Sequence, residues 1–181
     1  LIMVSIENIF AAGAAVLAGR QLGAKDEDGA SRTVTTIIGL SIVIGAILCV
    51  GGIMFIEPLM RAFGASEASL PLAKDYAFWM FVAALANLPA QSMNCAARAE
   101  SSVKISSIAV ITGALLNVVL DPVFMFDWGL GMGVEGASLA TTVSQFVTFF
   151  ILAWFYLSGH SIIKLHLRSF HPSWKLIKTV T

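Results

Sequence analysis

Residues 34–56 contain no charged side chain, and four further stretches, 1–22, 76–97, 105–126 and 134–157, are nearly as apolar. A helix needs about 20 mostly apolar residues to cross the ~30 Å hydrocarbon core of a bilayer, and each of these stretches has that length. Lipid offers no partner for a free backbone N–H or C=O, so only helices and closed barrels span it. A barrel requires alternating segments of about ten residues, and none of the five stretches alternates. The chain therefore reads as an all-α, polytopic transmembrane helical bundle of five spans over 1–158, followed by a basic cytoplasmic segment over 159–181.

Composition supports this reading. The chain is 57% hydrophobic and 12% charged, where soluble domains run about half apolar and a quarter charged. The formal net charge is zero and the basic residues sit in short clusters between apolar runs, which argues against nucleic acid as a partner. Cys49 and Cys95 lie inside apolar runs without the spacing of a metal knuckle or redox pair. His160, His166 and His171 are spaced by six and five, which does not put a metal pair on one helical face. No nucleophile elbow, phosphate loop or pair of catalytic carboxylates is present, so no enzymatic activity is expected.

Short connections separate the spans: the acidic run Lys25-Asp26-Glu27-Asp28, Glu57-Pro58 after the second span, Ala99-Glu100-Ser101-Ser102, and the glycine-rich Gly129-Leu130-Gly131-Met132-Gly133. With alternating sides, Arg20, Lys25, Arg32, Arg98, Lys104, Lys164, Arg168, Lys175 and Lys178 fall on one face and only Arg61 and Lys74 on the other. Positive residues favour the cytoplasm, so the first span enters from outside. The chain opens at Leu1 inside an apolar stretch, without the basic start or cleavage site of a signal peptide. It ends at what resembles the approach to another helix, and is expected to be part of a longer protein.

Ionisable and amide groups inside spans carry the functional signal, because a charge near the bilayer centre costs at least ~2.5 kcal/mol and normally faces a bundle interior or watery cavity. Glu7 lies 13 residues before Arg20, about 20 Å away at ~1.5 Å per residue; it is either a functional acid or one near a helix end. Asn117 precedes Asp121 by four residues and shares its helix face. Pro122 follows, and a proline deprives the carbonyl four residues back, that of Val118, of its helical donor. Carboxylate, amide oxygen and loosened carbonyl suit a small hard cation; the carboxylate could carry a proton instead. The competing view is an Asp-Pro turn at a helix end, with Asn117 bonding a neighbour. Asn87, Gln91 and Asn94 form a stripe on the third span. Interhelical bonds of that kind average only ~0.6 kcal/mol, which favours a polar-walled cavity over packing glue. In the fifth span Thr141, Thr142, Ser144 and Gln145 form a polar patch, and a threonine hydroxyl there can supply a further oxygen.

The run Gly113-Ala114-Leu115-Leu116-Asn117-Val118-Val119-Leu120-Asp121-Pro122-Val123-Phe124-Met125-Phe126, with Gly131-Met132-Gly133-Val134-Glu135-Gly136-Ala137-Ser138-Leu139-Ala140-Thr141, resembles the fifth and sixth helices of the multidrug and toxin extrusion (MATE) family. Gly19-Arg20-Gln21-Leu22-Gly23-Ala24-Lys25-Asp26 and Asn94-Cys95-Ala96-Ala97-Arg98-Ala99-Glu100 resemble that family's second- and fourth-helix exits, with Ser101 where glycine is usual and Gln91 where some members carry asparagine. The resemblance implies a twelve-helix antiporter of two six-helix lobes, this chain supplying helices two to six of the N-terminal lobe. It implies export of small organic, often cationic, compounds driven by sodium ions or protons, without a cofactor, in the plasma membrane (the inner membrane of a bacterium). It assigns the cation or proton site to Asn117, Asp121 and Thr141, and a cavity wall to Gln91 and Asn94. The partners implied are the organic substrate, the lipid bilayer and the remaining helices of a full-length chain. A flippase for lipid-linked oligosaccharides and a non-transporting membrane scaffold are the alternatives. Flippases of that superfamily tend to carry cavity cations, which these spans lack.

Overall fold

The computed structural model describes residues 2–163, with the backbone alone for 2–11 and 14. Six helices follow one another: α1 (Ile2–Gly23), α2 (Glu27–Met54), α3 (Ile56–Ala62), α4 (Leu70–Ala99), α5 (Val103–Met125) and α6 (Val134–Leu157). Among the described residues, α2, α5 and α6 are each long and apolar enough to cross a bilayer. α4 has ample length at 30 residues, but its amides dilute its apolarity, and α1 is only partly described. The side chain of Glu7, and the segment 164–181 with His166 and His171, lie outside what is described.

Two elements differ from the sequence reading. The acidic run before the second span is a helix start: Asp26 is the N-cap of α2, its carboxylate accepting from the Gly29 amide at 2.9 Å, and Glu27 and Asp28 occupy the first turn. Acids are favoured there by the helix dipole, which carries α2 seven residues beyond the expected 34. Glu57-Pro58, read as a stop, belongs to the first turn of the short α3. A proline is tolerated at that position because first-turn N–H groups have no helical acceptor.

α4 is the central column and packs against all five other helices. Its buried face is mostly small, with Ala83, Ala84, Ala86, Ala90, Ala96 and Ala97, which lets neighbouring backbones come close. Gly45 of α2 uses this: a β-carbon there would lie 2.9 Å from the Ala84 carbonyl oxygen. One turn away the buried hydroxyls of Ser41 and Ser92 lie 2.8 Å apart across the same contact. α5 is peripheral, burying only Ser106, Ala109 and Gly113.

The α5–α6 register is set by the connecting loop. It folds back on the last turn of α5: Leu130 donates to the Val123 carbonyl, Met132 to Phe124 and Gly133 to Met125, at 2.9, 2.9 and 3.1 Å. Gly131 and Gly133 reach this path at φ +63 and +58, a region glycine enters without steric penalty. α6 then starts directly against α5, where a β-carbon on Gly136 would stand 2.6 Å from the Phe124 carbonyl oxygen. At the opposite end of α6, the Glu100 carboxylate accepts from the Ser161 hydroxyl at 2.7 Å and the Ile163 amide at 3.2 Å, tying the chain after α6 to the α4–α5 turn.

α3 carries an exposed ion cluster. Glu57 accepts from Lys74 at 3.0 Å and from Arg61 at 3.2 Å, and Arg61 also pairs with Glu67. The Lys74 hydrogen bond, then that of Arg61, holds the Glu57 carboxyl below its ordinary range, and Arg61 does the same for Glu67. A lowered folded-state value means that this contribution is complete above the ordinary glutamate pKa of about 4.3 and is lost as pH falls through the folded value.

Two outcomes follow. Gly45→Val should destabilise the bundle by about 1–3 kcal/mol through overpacking, lowering the thermal unfolding midpoint in detergent, while Gly51→Ala, where nothing lies within 4 Å of the added carbon, should not lower it. Amide exchange in α3, corrected for intrinsic rates, should be equally protected at pH 7 and pH 6 and lose protection only in acid, whereas Glu57→Gln weakens it throughout.

Candidate functional site

Three helical stripes face one another. On α4, Asn87, Ala90, Gln91 and Asn94 follow the i, i+3, i+4, i+7 spacing of a single face. On α5 the same spacing runs through Val110, Gly113, Ala114 and Asn117, and on α6 through Thr141, Ser144, Gln145 and Thr148. These residues line a cavity of about 250 Å³. The wall is polar on the α4 and α6 sides. Small residues on α5 open its third side: a β-carbon on Gly113 would meet the Thr148 hydroxyl at 2.1 Å.

Asn117 is the hinge of the site. Its Nδ2 group lies 3.2 Å from Asp121 Oδ1, one turn further along α5, and 3.3 Å from Thr141 Oγ1 on α6. The geometry is consistent in its protons: the Thr141 hydroxyl donates to the Ala137 carbonyl at 3.0 Å, leaving a lone pair to accept from the amide. One amide group thus bridges the helices and holds a carboxylate. Asp121 is half-buried and is not itself a lining residue; it reaches the cavity through Asn117. Among the described residues no basic side chain pairs with it.

α5 continues as helix through Pro122 to Met125, so Asp121 sits in a helical turn and not in an Asp-Pro turn outside the helix. The Val118 carbonyl still loses its donor to the proline ring. Among the described residues no three histidine, cysteine or carboxylate groups come together as a metal site. One carboxylate beside a hydroxyl oxygen, with the Asn117 amide presenting its N–H group to both, suits a monovalent cation or a proton better than a divalent ion, which takes more carboxylate charge.

Of the residues singled out by sequence, Asn87, Gln91, Asn94, Asn117 and Thr141 border this cavity. Asn94 is buried and accepts from Ser106 of α5 through a short hydrogen bond, so it braces the wall as well as lining it. The expected patch on α6 is divided. Thr141, Ser144 and Gln145 border the cavity, while Thr142 turns away and donates to the Trp79 carbonyl of α4 at 2.8 Å. Thr148 was not singled out, although it continues the 141, 144, 145 periodicity by one turn. Ser106 had no local signal, since its partner lies on another helix.

A model of the MatE family matches residues 1–123. The multidrug export protein MepA of Staphylococcus aureus is 25% identical over 179 residues, covering 99% of this chain and 39% of MepA. The FAD transporter of Shewanella oneidensis is 28% identical over 168 residues, 91% of this chain and 37% of its own. Among solved structures, MATE in complex with MaL6 superposes with a TM-score of 0.91 at 28% identity, covering 98% of this chain and 39% of that one. An inward-facing multidrug resistance MATE family transporter of the MOP superfamily gives 0.89 at 28%, covering 98% and 40%. The chain therefore spans about two-fifths of the length of these relatives. With more than half of its residues matched by the family model and its helices superposing on solved members, the chain is an integral membrane protein that belongs to the MatE family.

Proposed function

We propose that this chain forms helices two to six of the N-terminal lobe of a secondary antiporter, which exports small organic, often cationic, compounds in exchange for sodium ions or protons across a bacterial plasma membrane. In this reading α1, α2, α4, α5 and α6 are its five spans, and the segment after 158 leads into the second lobe. The observation that carries it is the Asn117 amide shared between Asp121 and Thr141 at the edge of a polar cavity. A half-buried carboxylate without a basic partner among the described residues leaves its charge to be met by a cation or proton. The names of the relatives, multidrug export protein and FAD transporter, support export of organic molecules.

Asp121 alternates between ion-bound and free states. A bound ion draws on the Asp121 carboxylate and the Thr141 hydroxyl oxygen, which Asn117 keeps in register, and changes the bend of α5 at Pro122. That change reshapes the cavity wall. The driving force suffices, since one charge moving down 100 mV supplies about 2.3 kcal/mol, nearly a fiftyfold substrate gradient.

The cavity lining contains no lysine or arginine, which weighs against recognition of a pyrophosphate-linked lipid. Gln91 and Gln145 on its wall are not accounted for by a scaffold whose polar groups only join helices. Asp121→Asn in the full-length transporter should abolish ion-driven efflux with expression and unfolding midpoint retained. Export at the parent rate by that variant would remove the ion site from this position.

A further inference from the structure

We propose that Trp79 and Glu135 form a positioning pair that fixes the rotation of α6, and with it the meeting of Thr141 and Asn117; this rests on the ion-site reading above. Trp79 grips α6 twice. Its indole Nε1 donates to Glu135 Oε1 at 3.0 Å, and its carbonyl accepts from the Thr142 hydroxyl at 2.8 Å, a proton shared with the Ser138 carbonyl of α6 at the same distance. Residues 135 and 142 are two helical turns apart, about 10 Å at 1.5 Å per residue, and lie on one face with the fully buried Ser138 between them. A single residue of α4 therefore spans the first two turns of α6.

Thr141, next in sequence to Thr142, lies about 100° round the helix and faces α5. There Asn117 holds it at 3.3 Å, and Gly136 seats the same helix on the Phe124 carbonyl. α6 is thus held from α4 on one side and from α5 on the other. Turning it by one residue would carry the Thr141 hydroxyl out of reach of the amide. The indole is itself fixed by an edge-on contact with Phe78, ring centroids 5.3 Å apart at 83°. Glu135 suits its place because a carboxylate is favoured in the first turn of a helix and an N–H bond to a charged acceptor is stronger than one to a neutral group.

The test measures substrate export by the full-length transporter in liposomes while the driving ion, sodium or proton, is titrated. Trp79→Phe keeps an aromatic ring, smaller than the indole, and deletes the N–H. It should raise the half-saturating ion concentration about tenfold, the equivalent of one charge-assisted hydrogen bond, while the rate at saturating ion stays close to that of the parent. Glu135→Ala should do the same, and Glu135→Gln, which keeps an acceptor oxygen, should restore near-parent behaviour. If Trp79→Phe does not insert, the contrast between Glu135→Ala and Glu135→Gln decides alone. Unchanged ion dependence in Trp79→Phe or Glu135→Ala, beside an Asp121→Asn control that has lost efflux, overturns the positioning role and leaves the ion site standing. Equal damage from Glu135→Gln and Glu135→Ala overturns it too, because the charge and not the hydrogen bond would then matter. An Asp121→Asn control that exports normally removes both readings together.

Discussion

A single amide, that of Asn117, can serve Asp121 and Thr141 at once only if α5 and α6 keep one register, and the rest of the site depends on that constraint. The register comes from backbone chemistry. The loop between the two helices spends its N–H groups on the carbonyls of Val123, Phe124 and Met125, acceptors that a helix terminus in lipid cannot leave unpaired. Gly131 and Gly133 permit the turn, and Gly136 permits contact without a side chain between the helices. The carboxylate, the hydroxyl and the cavity wall then follow the helical periodicity of α5 and α6.

Polar groups in this bundle are distributed by what neutralises them. Ser41 and Ser92 meet each other, Ser106 meets Asn94, Glu135 meets the Trp79 indole, and the buried Glu100 holds Ser161 and the Ile163 amide. Each is a local solution to the penalty of leaving a polar group without a partner, in Glu100 through one oxygen alone, since its Oε1 has no hydrogen-bond partner among the described residues. Asp121 has only the Asn117 amide as a donor among the described residues, and unlike Glu135 it is tied by that donor to the wall of the cavity. In the proposed reading, a carboxylate held by one neutral amide beside a cavity is left with capacity for a small ion.

The helical character and the two decisive stripes were legible because period and composition act locally. Asn117 and Asp121 four apart, and Asn87, Gln91 and Asn94 in line, needed no tertiary information. The motif that resembles the MATE family added Thr141, which spacing alone did not separate from Thr142. What stayed illegible was set by partners distant in sequence. Thr142 turns to a carbonyl 63 residues away, and Trp79 finds Glu135 across 56. Glu100, read as part of a connecting turn and of the fourth-helix exit motif, is buried by chain that returns 61 residues later. The extended start of α2 and the whole of α3 were hidden for a different reason: Asp26 and Pro58 serve equally as loop residues and as helix-start residues, and only hydrogen bonding decides which.

The most direct test of the central claim is a difference infrared measurement of the reconstituted full-length transporter as the driving ion is added, with Asp121→Asn as the spectral reference. The account predicts a carboxyl band that responds to the ion and disappears in the variant, shifted within the ionised region if sodium binds or moved to the protonated region if a proton does. An ion-induced carboxyl spectrum identical in parent and variant would contradict it, because the group that senses the ion would then lie elsewhere in the protein.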